Sequence, residues 1–151
     1  MGNRAFITAK GSKLGIQLHW NGGRDSVETF LTWAKLAGLP GLTANNHGLP
    51  AFMTMLCNFF GNDGRALYLE TTNPAAPQKS DPGDNGVYVI EGFDIMERYG
   101  VPSNGEQMGH DMVTLLKSVD QSQPESDRLA AFLDGLETQT SDLNKGDLVY
   151  L

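Results

Sequence analysis

One cysteine, three histidines and no apolar run long enough to span a bilayer leave these 151 residues with few of the parts that announce a function. Cys57 alone cannot form an internal disulfide, which fits a reducing compartment. A spanning helix needs about 20 consecutive apolar residues. The N-terminus, Met1-Gly2-Asn3-Arg4, leads into a short alternating segment rather than a signal-peptide core. Gly2 is not followed by the Ser or Thr at position 6 that myristoylation requires, because that residue is Phe6. A soluble, cytoplasmic protein with no membrane partner is expected. His19, His47 and His110 show no i, i+4 pairing, no HExxH and no carboxylate at ligand spacing, so neither a metal nor a cofactor is expected. Ser12 and Ser26 lack a nucleophile elbow. Cys57, inside an apolar helical stretch, reads as a buried small hydrophobe. Asp84 and Glu91 fall on opposite sides of a strand by parity and make no acid/base pair. Nothing local supports an enzyme.

Basic charge is scarce in one half only. Residues 1 to 80 carry seven Lys and Arg against four acids, a balance of +3, whereas residues 81 to 151 carry four against fourteen, a balance of -10. A net charge of -7 makes a poor binder of duplex nucleic acid, whose phosphates supply most non-specific affinity. A local basic pocket for a small phosphorylated ligand stays compatible with it. The acidic half reads either as solvated helix faces or as a surface for a basic host protein.

At this length, with 40% hydrophobic residues, a single domain over 1–151 is expected, burying roughly 70% of its unfolded surface. Ala5 to Ala9 and Gly15 to Trp20 read as a hairpin joined by Lys10-Gly11-Ser12-Lys13, with Ile16, Leu18 and Trp20 facing the core. Asp25 and Glu28 have capping-box spacing, with Asp25 as N-cap, before the helical stripe Val27, Phe30, Leu31, Ala34 and a stop at Gly38. A second helix, from near Pro50 to Gly61, is apolar nearly all round and is expected to be buried. Arg65 to Thr71 is a third strand, with Ala66, Tyr68 and Glu70 on one face and Leu67 and Leu69 on the other. Residues 72 to 85, with three prolines, are expected to be a long mobile loop. Val87 to Glu91 and Phe93 to Tyr99 are extended, and Gly92 between them reads as a bulge or bend rather than a hairpin tip. Helices over about 106–120 and 126–137 follow, then a final strand over Asp147 to Leu151. Connections this short favour an α+β fold: a largely antiparallel sheet of about five to six strands with about four helices.

The best candidate for a site is His19-Trp20-Asn21-Gly22-Gly23-Arg24-Asp25-Ser26, where a strand gives way to a helix. A helix start presents unpaired N–H groups and the positive end of its dipole, so anions are stabilised there. Gly22 and Gly23 let backbone approach a ligand, and Arg24 offers a guanidinium able to grip phosphate bidentately. The plainer alternative is that the glycines only turn the chain while Arg24 pairs with a neighbouring carboxylate. Neither GxxxxGK[ST] nor GxGxxG is present. Asn58, Phe59 and Phe60 end the second helix with an amide and two rings, either for stacking on a base or for the core. Asn85 before Tyr88 offers an amide for a base edge, or simply the turn into a strand. Arg98 and Tyr99 add a second cation and ring. Cation, amide and aromatic are the components a nucleotide-like ligand needs.

Over roughly residues 1 to 100, the blocks Met1-Gly2-Asn3-Arg4-Ala5, His19 to Glu28, Asn58-Phe59-Phe60-Gly61 and Asp81 to Glu91 resemble the Thoeris anti-defence sponge family of phages and prophages. The resemblance implies a protein that sequesters glycocyclic ADP-ribose signals, and in some members cyclic trinucleotides, without cleaving them. It also implies a homodimer, or a hexamer built from dimers, acting in the cytoplasm of an infected bacterium, with Arg24 as the first phosphate contact. The Met-rich second helix and the 72–83 loop depart from the pattern and leave ligand choice open, and the acidic 101–151 stretch has no counterpart in it. The rival reading is an acidic, protein-binding inhibitor of a host defence complex, comparable to an anti-CRISPR. A small nucleotide hydrolase is the least favoured.

Overall fold

A strand flanked on both sides by other strands, with cover on both faces, has to be apolar at every position. Ala5–Ala9 (β1) is such a strand, with all five residues buried. It pairs antiparallel with Leu14–Leu18 (β2) and parallel with Val87–Glu91 (β4). β2 pairs with Leu67–Thr71 (β3), and β4 with Asp94–Tyr99 (β5), both antiparallel, so the sheet order is β3-β2-β1-β4-β5. The computed structural model describes residues 2–61, 63–102 and 109–139. Within them the fold is α+β, a mostly antiparallel five-stranded mixed sheet with four helices. The one parallel pair, β1 with β4, is reached through the whole stretch of helices, β3 and loop that separates them in sequence.

Arg24–Leu36 (α1), Leu49–Phe60 (α2), Met112–Ser122 (α3) and Ala130–Gln139 (α4) are the helices. One large core joins Ile7, Ile16, Leu18, Tyr88 and Ile90 of the sheet to Phe30, Phe52, Leu56 and Leu116 of the helices. Asp120, only 2% exposed, ties three pieces of this layer. Its Oδ1 accepts from Trp33 Nε1 of α1 at 2.9 Å and from the Leu129 N–H, just ahead of α4, at 2.6 Å. Phe6, Val87 and Val89 form a smaller cluster on the other face of the sheet, with Tyr99 packed against it. Residues 72 to 86 are built rather than loose. They contain a 3-10 turn, Pro77–Ser80, that packs on β4 with Pro77 buried. Arg4 anchors the stretch through Nε to Asp84 Oδ2 at 3.0 Å.

Several sequence expectations give way. Gly92 is a hairpin tip, not a bulge: its φ is 70°, and it exchanges two backbone hydrogen bonds of 2.8 Å with Leu42. The bulge lies further on, where Val89 pairs with Glu97 but Ile90 with Ile95, leaving Met96 as the extra residue. β2 stops at Leu18 and Asn21 turns with φ 57°, so Trp20 escapes the strand's alternation and is exposed. α2 buries only Leu49, Phe52, Met55 and Leu56, and Cys57 is exposed rather than packed inside. α3 starts later than the apolar pattern suggests, because Asp111 caps it by accepting from the Val113 and Thr114 N–H groups. α4 begins at Ala130, after a 3-10 turn over Glu125–Asp127 that follows Pro124. The strand expected over 147–151 lies outside the described residues.

Candidate functional site

The start of α1 is already occupied by the chain itself. Gly23, not Asp25, is the N-cap; its backbone is extended and it makes no side-chain cap. Asp25 lies inside the helix, 2% exposed, and its carboxylate accepts from the Ser26 N–H at 2.7 Å and the His110 N–H at 2.8 Å. This corrects the capping-box reading: Glu28 turns away to accept from Arg24 Nε at 2.8 Å. A helix N-terminus favours an anion, and here a protein carboxylate is that anion. Ser26 Oγ also lies 3.3 Å from His110 Nδ1, which stands 3.4 Å from Asp25 Oδ2. Serine and aspartate meet the same ring nitrogen, so the imidazole does not stand between them as a proton relay requires.

Gly22 is needed for close approach, but to the protein rather than to a ligand. Its N–H donates to Asn3 O at 2.8 Å, and a Cβ there would fall 2.5 Å from that oxygen and 2.8 Å from the Ala5 Cβ. Tyr88, fully buried, donates its hydroxyl to Gly22 O at 2.7 Å. The Arg98 guanidinium sits 3.8 Å over the Tyr88 ring and donates to Asn85 O at 2.9 Å. Asn85, also fully buried, donates from Nδ2 to Asn3 Oδ1 and to Arg4 O. Gly22, Asn85, Tyr88 and Arg98 thus do come together, as a tie joining β1, β4, β5 and the turn into α1. Tyr99 donates to Glu97 Oε2 at 2.6 Å, and that carboxylate raises the pKa of its hydroxyl. Asn58, Phe59 and Phe60 are elsewhere: Asn58 donates to Gln123 Oε1 at 3.0 Å, and both rings meet Phe30 edge-on.

Arg24 opens onto a different feature, a cleft of about 230 Å³ between α1 and the tip of the β4–β5 hairpin. From α1 it is lined by Arg24, Glu28, Leu31, Thr32 and Lys35, and from the hairpin by Phe93, Asp94 and Ile95. Helical geometry places the α1 set on one stripe, since these positions recur at intervals of three and four residues. The Gly92–Leu42 bonds fix the hairpin tip across from that stripe. The cleft therefore holds two cations, two carboxylates, a hydroxyl and an aromatic ring over an apolar floor. Of these, the sequence marks Arg24 alone as a site residue. Helical spacing from Arg24 points to Glu28 and Lys35, but Phe93 and Asp94 join only once the hairpin is placed.

Among the described residues no three His, Cys, Asp or Glu side chains group to hold a metal, and no helix is long and apolar enough to cross a membrane. No family model matches the chain, and neither the curated proteins nor the solved structures contain a match to it.

Proposed function

We propose that this protein binds a small phosphate-bearing, nucleotide-type ligand in the cleft between α1 and the β4–β5 tip, and retains it without cleaving it. The observation that carries the reading is Arg24 and Lys35 on one helix face beside Phe93. The two cations are eleven steps apart along the helix, roughly 16 Å along the axis, and their long side chains can close that distance on a phosphate group. Guanidinium and ammonium suit phosphate oxygens. Glu28 and Asp94 are acceptors for ribose hydroxyls or base amino groups, and Phe93 offers a ring for stacking. Small-molecule sites usually span about 300–1,000 Å³, so this cleft suits one nucleoside phosphate portion, with the remainder of a larger ligand outside it.

The resemblance to the Thoeris anti-defence sponges supports sequestration over turnover and supplies the ligand class, ADP-ribose-type or cyclic nucleotide signals. Under that reading the protein works in the cytoplasm of an infected bacterium as a homo-oligomer. The deciding experiment is native mass spectrometry against a panel of cyclic nucleotides and ADP-ribose isomers, followed by denaturation and analysis of the released ligand. Binding with intact ligand recovered is the expected result, and a cleaved product overturns it. Arg24→Ala should weaken binding about tenfold or more, the loss of a charge-assisted contact. Wild-type affinity in that variant would remove the cleft from the reading.

A further inference from the structure

The cleft beside α1 is not a simple anion trap. The two cations that line it, Arg24 and Lys35, are matched by two carboxylates, Glu28 and Asp94, so the formal charges cancel. Arg24 and Glu28 are joined directly, Glu28 Oε1 accepting from Arg24 Nε at 2.8 Å. Glu28 is the deeper of the two, its side chain 15% exposed against 53% for Arg24. A carboxylate shielded from water in this way is costly to leave without donors. A ligand that engages Arg24 therefore meets Glu28 as well, at a separation where the carboxylate's repulsion of an anion offsets most of the attraction of the guanidinium bonded to it.

We infer that Glu28 selects the ligand of this cleft: it turns away bare anions and admits a phosphate ester that carries a free hydroxyl on the neighbouring ribose carbon. The inference rests on the nucleotide reading of the cleft. A carboxylate has about four acceptor sites on its two oxygens, and Arg24 Nε takes one. A sulfate ion brings only acceptors, so it competes with Glu28 for Arg24 and gives the carboxylate nothing in return. A ribose hydroxyl brings an O–H, which Glu28 accepts while the guanidinium holds the phosphate beside it. Hydrogen bonds from a hydroxyl to a carboxylate are among the stronger kind. The spacing decides which hydroxyl is read. Guanidinium and carboxylate are one hydrogen bond apart, so phosphate and hydroxyl have to be neighbours. They are neighbours on the 3′ and 2′ carbons of a ribonucleotide, whereas the C4′–C5′ arm separates a 5′-phosphate from its ring hydroxyls. Lys35 lies seven steps along the helix from Glu28, roughly 10 Å, and takes no part in this choice. The selection comes from the group that a wrong ligand would leave unpaired.

The test titrates the full chain, wild type and Glu28→Gln, with adenosine 3′-monophosphate and with its 2′-deoxy form in a calorimeter. Gln keeps an oxygen for Arg24 Nε and removes only the charge, and unchanged circular dichroism establishes the fold of the variant. The wild type should prefer the ribonucleotide about tenfold or more, the worth of a hydrogen bond to a charged group. Glu28→Gln should reduce that preference to about threefold or less, the worth of a neutral one. Sulfate, set against chloride at equal ionic strength, should displace the nucleotide from Glu28→Gln and not from the wild type. A preference that survives in Glu28→Gln, a wild type without one, or equal competition by sulfate overturns the role given to Glu28 and leaves the cleft as a nucleotide site. A folded Glu28→Gln that binds neither nucleotide overturns it as well, because Glu28 would then build the phosphate site rather than select for it. A wild type that binds cyclic nucleotides but neither of these two overturns the inference alone, and a wild type that binds no nucleotide overturns it together with the nucleotide reading.

Discussion

At the first turn of α1 the Asp25 carboxylate is buried and bonded to two backbone N–H groups, while along the outer face of the same helix Arg24 and Lys35 stay exposed beside a cleft. The two regions share a helix and charged residues at close sequence positions, yet one is closed by the protein's own groups and the other is open to a ligand. A helix dipole and a glycine pair do not by themselves make a ligand site, because the fold can satisfy them first. An exposed cation is worth little to the fold, so it can serve binding at small cost to stability. Substitutions in the closed region should change stability and leave ligand affinity alone. Those in the open region should do the reverse.

Asp25→Ala tests the closed region hardest. Two N–H groups lose a charged acceptor in a buried setting, and unfolding by urea or heat should show a loss of about 3 kcal/mol, with the affinity of the folded protein unchanged. Tyr88→Phe is the milder version. It leaves Gly22 O without the phenol that reaches it, and the expected loss is about 1.5 kcal/mol. Arg24→Ala takes the opposite course: its contact with Glu28 is an i, i+4 pair on the helix surface, worth about 0.5 kcal/mol, so stability should move far less than in Asp25→Ala. The binding loss is then read against an intact fold. If Arg24→Ala destabilised the protein as much as Asp25→Ala does, the division between the two regions would fail.

Local patterns gave the elements away where packing agrees with them. β1 is observed over the five residues its composition marks, Ala5–Ala9, and the stripe Val27, Phe30, Leu31, Ala34 does face the core. What escaped the sequence depends on partners far along the chain. Asp25 reads as a cap because Glu28 follows at the right spacing, but the N–H of His110, 85 residues on, claims its carboxylate. Cys57 sits on an apolar helix whose outer side faces a groove that the edge strand β3 does not close. Gly92 reads from the sequence as a bulge or bend, and only the pairing of Glu91 with Asp94 across it makes it a hairpin tip. The same holds for the candidate site. Arg24 was visible as an unusual cation beside two glycines, while Phe93 and Asp94 belong to the cleft only through the hairpin that carries them over α1. Gly22, Asn85, Tyr88 and Arg98 were grouped by their chemistry, and they do meet, in contacts that hold the strand ends together.

A small, pH-dependent effect is expected where an ion pair joins the closed region to the loop over the far face. Arg4 donates its Nε and its backbone N–H to Asp84 Oδ2, at 3.0 and 3.1 Å. The Arg4 side-chain hydrogen bond, opposed in part by burial and aided by the backbone bond and the positive charge, lowers the Asp84 pKa from 3.8. A carboxylate whose folded pKa is depressed contributes stability that is fully present above its unfolded value and is lost as pH falls through the folded one. The contribution should therefore be complete at neutral pH, begin to fall at about pH 4 and be lost as pH drops further through the folded value. Both partners are partly exposed, so its size should be no more than about 0.5–1 kcal/mol. Asp84→Asn isolates it. Asn tolerates the left-handed backbone at this position, where φ is 58°, and it can still accept from the Arg4 N–H, so only the charge is removed. Chemical denaturation at a series of pH values should find the variant less stable than the wild type at pH 7, with the gap closing toward pH 3. A gap that stayed constant down to pH 3 would mean that the Asp84 carboxylate contributes by shape and hydrogen bonding rather than by charge.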